Sequence, residues 1–363
     1  QIYPIDNGVY VPCTMTLTYL NGNYYISLKA EGCTAEPKTL LLSQQSGLLG
    51  AEYFGAGTRS IQLASFTDHF LCYGNISYQL GDKAAKAALE SVNEYAIPNM
   101  SVLTNSTFVD TGIVAKEGFV MSYRVSTYNS SNVWNPAGVT FTSSSDQRNF
   151  MAVGDSTHDM KQVCCKEWAD GTSKNTRSTT AVSTYKIGDY VTIVYLQNKY
   201  YVILPEQVIE LLDVSSFIKD YGLGTEFFAT GDRTIGFQTS SQTAAVFDNV
   251  SISLGDNAAQ KALIDSGYAA KVTGSYAYAS GTYENGKLIN IEDNVTVKIG
   301  DTIAKINSAT QTFETVVKKG TYDVTMTSDY FKDVTVAGVE VQSATAVDAT
   351  FTVPKVTPTG DYG

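Results

Sequence analysis

The residues able to do chemistry are few, and their spacing does not suit catalysis. His69 and His158 are the only imidazoles among 363 residues, and no serine sits in a Gly-x-Ser-x-Gly elbow, so a Ser-His-Asp triad has little to build from. A His-Glu-x-x-His zinc pair is absent too. The nearest acid clusters, DSTHD at 155–159 and KEWAD at 166–170, stand beside turn residues. They do not alternate along one strand, as placing a nucleophile and a general acid about 5 Å apart on a sheet face would require. This pattern argues against an enzyme.

Binding chemistry is better supplied. Sugars stack their apolar ring faces on Trp or Tyr and hydrogen-bond their hydroxyls to Asp, Asn or Arg. The candidates are Trp134 in NVWNPAG, Tyr128, Arg148, Asp155, His158 and Trp168; the plainer reading is that the large rings pack in a core. Five cysteines form no CxxC pair and are odd in number, so they read as buried thiols rather than a disulfide framework. In a strand the vicinal Cys164 and Cys165 would lie on opposite sides.

The elements that must position these residues are strands. Tyr, Thr, Ser and Val abound in short alternating runs bounded by Gly, Asn and Asp, which predicts an all-β chain. Its length predicts two or three domains. A formal charge of −11 leaves no basic stripe for nucleic acid or an anionic membrane. No apolar run approaches the roughly 18 residues that cross a bilayer, and any export signal or anchor is expected outside these residues.

The chain also repeats itself. LGDKAAKAAL from Leu80 matches LGDNAAQKAL from Leu254, AEYFGAGTRSIQL from Ala51 matches TEFFATGDRTIGF from Thr225, and YGNISYQLGD from Tyr73 matches FDNVSISLGD from Phe247. MTLTYLNGNYYISL from Met15 matches VTIVYLQNKYYVIL from Val191, with turns expected at NG and NK. The second copy continues upstream of Val191 through about 80 residues of strand-like sequence, for which the first copy has no room. Residues 1–94 therefore read as the second half of a domain, 95–106 as a linker, 107–266 as a complete copy, 267–354 as a third domain and 355–363 as a tail. Left alone, the half-copy would expose unpaired edges and an apolar face. Its missing strands are expected from upstream sequence or from another chain. Asp82 and Asp256 are the expected helix N-caps, with Leu89 and Leu263 facing inward.

The order of hairpin, RSIQL or RTIGFQTSS strand, and closing FDNVSISL strand resembles the C-terminal half of concanavalin A-like, laminin G-like domains. That resemblance implies jelly-roll β-sandwiches with short connector helices, and a structural Ca²⁺ held by Asp248 in FDNV with Asp110 in TFVDTG as first-strand partner. Oxygen ligands of this kind suit calcium. The plainer role for Asp248 is to bond backbone amides at a strand end; the first copy has Gly74 there. Farther on, GTYDVTMTSDYFKDVTVAGVEV resembles carboxypeptidase regulatory-like, transthyretin-like modules, implying an Ig-like β-sandwich that acts as a spacer or partner surface. In related pilin-type domains a Glu assists a Lys-Asn crosslink; Met326 stands at that position, which argues against recruiting Lys271 and Glu314 to the role. The expectation is a non-catalytic part of an extracellular, cell-surface adhesin binding glycan or a matrix protein. Its alternatives are a structural stalk or scaffold, and accessory modules of a glycoside hydrolase.

Overall fold

The computed structural model describes residues 5–6, 9–10, 12–32, 34, 38–55, 57–64, 74–102, 107–130, 137–143, 148–153, 162–169, 172–181, 185–211, 231–239, 243–279, 283–284, 287–288, 293–353 and 355. The chain divides into two units, Gln1–Ala259 and Gln260–Gly363. Both are built of strands, so the all-β expectation holds.

In chain order the first unit contains the short pair β1 (Ile5–Asp6) and β2 (Val9–Tyr10), then β3 (Cys13–Leu20), β4 (Asn23–Ala30), β5 (Thr39–Leu42) and helix α1 (Asp82–Leu89). There follow β6 (Glu94–Val102), β7 (Phe108–Ala115), β8 (Phe119–Ser130), β9 (Ala137–Ser143), β10 (Arg148–Val153), β11 (Gln162–Ala169) and β12 (Thr172–Ala181). The second hairpin follows as β13 (Tyr190–Leu196) and β14 (Lys199–Leu204), then β15 (Gln207–Leu211), β16 (Arg233–Thr239) and β17 (Thr243–Leu254), and helix α2 (Asp256–Asp265) runs across the boundary between the units. A nine-stranded sheet runs β15-β14-β13-β8-β17-β6-β5-β4-β3, and a six-stranded sheet runs β12-β11-β10-β9-β16-β7. One apolar core joins them, a jelly-roll-type sandwich in which Phe119, Met121, Tyr123 and Val125 alternate along β8 and meet Val139, Phe141, Ile235 and Phe237 from the other sheet. Period-two alternation is what a sheet buried on one face demands. Each large side chain so buried contributes about 1.5–3 kcal/mol before its ordering entropy is counted.

The two copies meet within this sheet. Residues 95–102, read from the sequence as linker, form most of β6, which pairs antiparallel with β17 and parallel with β5. The half-copy thus extends the sheet of the complete one. Its Leu20, Tyr25 and Leu41 enter the shared core.

Several local expectations change. The second hairpin turns on Gln197 and Asn198, both left-handed (φ 50° and 61°), like Asn21 and Gly22 (50° and 76°) in the first; this is the twist a two-residue hairpin needs. The turn falls one residue earlier than NK because Lys199 already pairs with Leu196. Asp82 and Asp256 open their helices rather than cap them: Gly81 is the cap of α1 and makes no side-chain bond. The Asp256 carboxylate instead accepts the Gly118 N–H at 2.8 Å, tying α2 to the β7–β8 turn. Leu89 packs partly buried against the core and Leu263 is buried. Cys13, expected inside, is exposed. Residues Arg59–Leu63 and Gly74–Leu80, which match strands of the second copy, form no strand here and expose Ile61, Leu63, Ile76, Tyr78 and Leu80. Their counterparts are held by neighbours on both sides, β16 by β9 and β7 and β17 by β8 and β6.

The second unit holds β18 (Ala269–Tyr278), the short pair β19 (Tyr283–Glu284) and β20 (Lys287–Leu288), β21 (Thr296–Ile299), β22 (Thr302–Ile303), β23 (Lys305–Asn307), β24 (Thr312–Lys318), β25 (Gly320–Thr327), β26 (Val334–Val341) and β27 (Thr345–Phe351). Two four-stranded sheets, β23-β24-β18-β27 and β22-β21-β25-β26, close over Val272, Phe313, Val324, Met326, Val347 and Phe351. Where β18 and β27 run parallel, a Cβ on Gly274 would lie 1.8 Å from the Val347 carbonyl oxygen, so only glycine fits. Met326 is fully buried among apolar neighbours, and Lys271 and Glu314 form a half-exposed ion pair at 2.7 Å, engaged with each other at the surface.

Candidate functional site

Across β9 and β16 the six-stranded sheet has one apolar side and one polar side. Val139, Phe141, Ile235 and Phe237 lie on the core side, so the even-numbered residues of β9 and β16 lie on the other. Register then carries a row across five strands: Ser173 opposite Trp168, Trp168 opposite Arg148, Arg148 opposite Thr142, and Thr142 opposite Thr234. Trp168 and Arg148, some 20 positions apart in sequence, are thereby cross-strand neighbours. Thr140 and Gln238 stand on the same side, and the side-chain oxygens of Thr140, Thr142 and Gln238 are buried with no hydrogen-bond partner among the described residues. Buried polar groups in that state carry a desolvation cost that a partner would relieve.

Trp134, Asp155 and His158 lie outside the described residues. Tyr128 is on β8, in the nine-stranded sheet, and packs partly buried against the core. Arg148 and Trp168 are thus register partners on β10 and β11, and Tyr128 packs on the other sheet.

Asp248 and Asp110 are not brought together. Asp248 is on β17 in the nine-stranded sheet, while Asp110 is on β7, an edge of the six-stranded sheet. Both Asp248 oxygens accept from Arg124, its cross-strand neighbour on β8, at 2.8 and 3.0 Å. The guanidinium holds the carboxyl below its ordinary range and presents positive charge where a cation would have to sit, so these residues do not fit calcium. Asp110 accepts the Gly112 N–H at 2.7 Å. Among the described residues no group of three His, Cys, Asp or Glu side chains is placed to hold a metal.

One feature was legible only in part. A cavity of about 450 Å³ lies beside the half-copy, lined by Thr16, Thr18, Ser27 and Thr39 of its strands together with Leu89, Val92 and other residues at and after the end of α1. The alternating threonines of MTLTYL signal one polar side of β3, but nothing in the sequence says that the segment after α1 closes over it.

No family model and no curated protein sequence matches the chain. Solved structures that align with it include a carbohydrate-binding module from Bacillus subtilis, with a TM-score of 0.31 and 11% identity over 43% of this chain and 85% of that one. A homodimeric agglutinin from chicken liver aligns with a TM-score of 0.24 and 16% identity over 40% of this chain and 94% of that one. Galectin-Ib from Xenopus laevis aligns with a TM-score of 0.26 and 10% identity over 41% of this chain and 99% of that one. The chain itself is all-β, with a nine-stranded and a six-stranded sheet in its first unit and two four-stranded sheets in its second.

Proposed function

We propose that the chain is a non-catalytic glycan-binding part of an exported cell-surface protein, and that the polar side of its six-stranded sheet carries the ligand. The observation behind this reading is the register that sets Trp168 beside Arg148 in a row completed by Ser173, Thr142 and Thr234. An indole supplies an apolar platform for a sugar ring, and a guanidinium with flanking hydroxyls supplies the hydrogen bonds that fix its orientation. The second unit, a β-sandwich of eight main strands, serves as an Ig-like spacer that presents the first. Calcium is left out of the proposal because Arg124 occupies Asp248.

A glycan array probed with the full chain tests the reading. Binding to at least one glycan class is expected, with the signal lost in Trp168→Ala and Arg148→Ala. An array on which the unaltered chain binds nothing would sink the lectin reading and leave a scaffold.

A further inference from the structure

The two copies differ in one consistent way along the cavity beside β3–β5. Thr18 and Ser27, which line it, stand where the matched hairpin has Val194 and Ile203. Thr39 lies two residues before Leu41, the partner of Tyr25, just as Val208 lies two before Glu210, the partner of Tyr201. Three hydroxyl side chains thus take the places of three β-branched apolar ones. Thr for Val keeps the volume and exchanges a methyl for a hydroxyl, whereas Ser for Ile also removes bulk. Every lining residue comes from β3, β4, β5, the end of α1 or the segment Ser91–Glu94, all of them parts of the repeat that both copies contain. Thr16 and Thr18 lie on the side of β3 opposite Met15 and Leu17, with Ser27 and Tyr25 as their partners on β4.

The exchange carries a cost that the second copy shows to be avoidable. Thr18 is 7% exposed and Thr39 2%, and among the described residues neither hydroxyl has a hydrogen-bond partner. Burying an unpaired hydroxyl is unfavourable. The complete copy places valines at the same positions, and Val194 there is fully buried. A ligand that pairs with these hydroxyls would offset the cost. The rest of the lining narrows its chemistry. Ala88, Leu89 and Val92 supply apolar surface, Glu94 is half-buried and adds a carboxylate, and the lining holds no Lys or Arg. A molecule suited to these walls carries hydroxyls on one side, apolar surface on another and no negative charge, which describes an uncharged sugar ring.

We propose that this cavity is a binding site for a neutral sugar ring, whose hydroxyls pair with Thr16, Thr18, Ser27 and Thr39 while its C–H face lies on Leu89 and Val92. Its volume of about 450 Å³ falls within the range of about 300–1,000 Å³ found for small-molecule sites. The site is built on the nine-stranded sheet, so it is distinct from the row on the six-stranded sheet and stands without it. The duplication thus yields two uses of one layer: an apolar seam in the complete copy and a hydroxyl-lined pocket in the other.

The probes are the methyl glycosides of glucose, galactose and mannose, titrated into the full chain and followed by calorimetry and amide exchange. At least one should bind with a dissociation constant of about 1 mM or tighter, slowing exchange in β3 and along Ser91–Glu94. Thr18→Val with Ser27→Ile writes the complete copy's residues into the cavity. That pair should weaken binding by about tenfold or more while the melting temperature holds or rises. Thr39→Val, which keeps the volume, reads the same site should the pair melt early, and it too should weaken binding. Trp168→Ala should leave this binding unchanged. No binding by the unaltered chain, or binding that survives both the Thr18→Val, Ser27→Ile pair and Thr39→Val, overturns the proposal. Binding lost in Trp168→Ala but kept in the cavity variants overturns it too, while leaving the six-stranded sheet as the glycan site.

Discussion

The Tyr25 hydroxyl donates to the backbone carbonyl of Thr111 at 2.7 Å, buried and across 86 residues of chain, so one hydrogen bond links the half-copy to the first strand of the complete copy. Burial pushes the Tyr25 phenol well above its ordinary range, which favours the protonated form that donates this bond. Next to this bond Gly112 takes φ 72°, and a Cβ there would lie 2.6 Å from the Tyr25 oxygen. Tyr25→Phe should cost about 1 kcal/mol, the net worth of one hydrogen bond. Gly112→Ala should cost more, about 2 kcal/mol, because it combines the left-handed backbone with the clash. Denaturant melts of both variants check the order, and a Gly112→Ala loss smaller than that of Tyr25→Phe would refute it.

The Arg124–Asp248 pair gives a pH dependence of known sign. Arg124 lowers the Asp248 pKa in the folded state, so the native protein binds fewer protons there than the unfolded chain. The pair's contribution is therefore complete above the unfolded value of about 3.9 and is lost as pH falls through the lower folded value. Asp248→Asn should lower stability by about 0.5–1 kcal/mol at pH 7, and the gap from the unaltered protein should close below about pH 4. Thermal melts across pH 3–7 read this out. Because Arg124 fills the carboxylate, a chelator or added calcium should leave the melting temperature unchanged; a calcium-dependent rise abolished by Asp248→Asn would restore the metal site.

Trp168 and Tyr128 should separate cleanly. Tyr128 packs against the core from the nine-stranded sheet, so Tyr128→Ala should lower stability by about 2–3 kcal/mol with glycan affinity intact. Trp168→Ala should weaken glycan binding at least about tenfold. Paired titration calorimetry and melts decide between them.

Which side of a strand an aromatic occupies explains how far the site could be read from sequence. Alternation announced the strands, and the matched LGDKAAKAAL and LGDNAAQKAL segments announced the duplication. Register did not follow from either. Trp168 and Arg148 become neighbours only when β10 and β11 pair, a long-range choice that local pattern leaves open. The same holds for Asp248: the carboxylate in FDNV is legible, but the arginine that claims it lies 124 residues away. RSIQL and YGNISYQL have the composition of strands in both copies, yet a strand forms only where a partner edge exists. Residues 95–102 lacked a strong strand signature beside Pro98 and became β6, because the edges of β5 and β17 were both there to receive them.

In the second unit Asp293 gathers three donors, the Tyr278 hydroxyl at 2.5 Å, the Ser328 hydroxyl at 2.7 Å and the Asp329 N–H at 2.9 Å. These bonds pin the turn between β25 and β26, where Ser328 also accepts the N–H groups of Tyr330 and Phe331. Asp293→Ala removes the acceptor shared by these three donors and should cost about 2–3 kcal/mol, more than a single neutral hydrogen bond. Asp293→Asn, which keeps one acceptor, should recover part of that. Equal losses in the two variants would mean that packing rather than acceptance matters here.

The half-copy depends on the complete one for its stability. Residues 1–94 end where β6 begins, so cutting there removes the strand that pairs with β5 and the core that receives Leu20, Tyr25 and Leu41. β3–β5 would then keep only α1 and the Tyr53–Phe54 segment against them, and three strands without their packed core do not hold themselves together. The isolated piece should show no cooperative melt. Within the full chain, Leu41→Ala should lower stability by about 2–4 kcal/mol, the range for a fully buried leucine, and should speed amide exchange in β3 and β4 ahead of β13 and β14. A cooperative monomeric melt of residues 1–94, or uniform exchange across both hairpins in Leu41→Ala, would show that the first copy stands on its own.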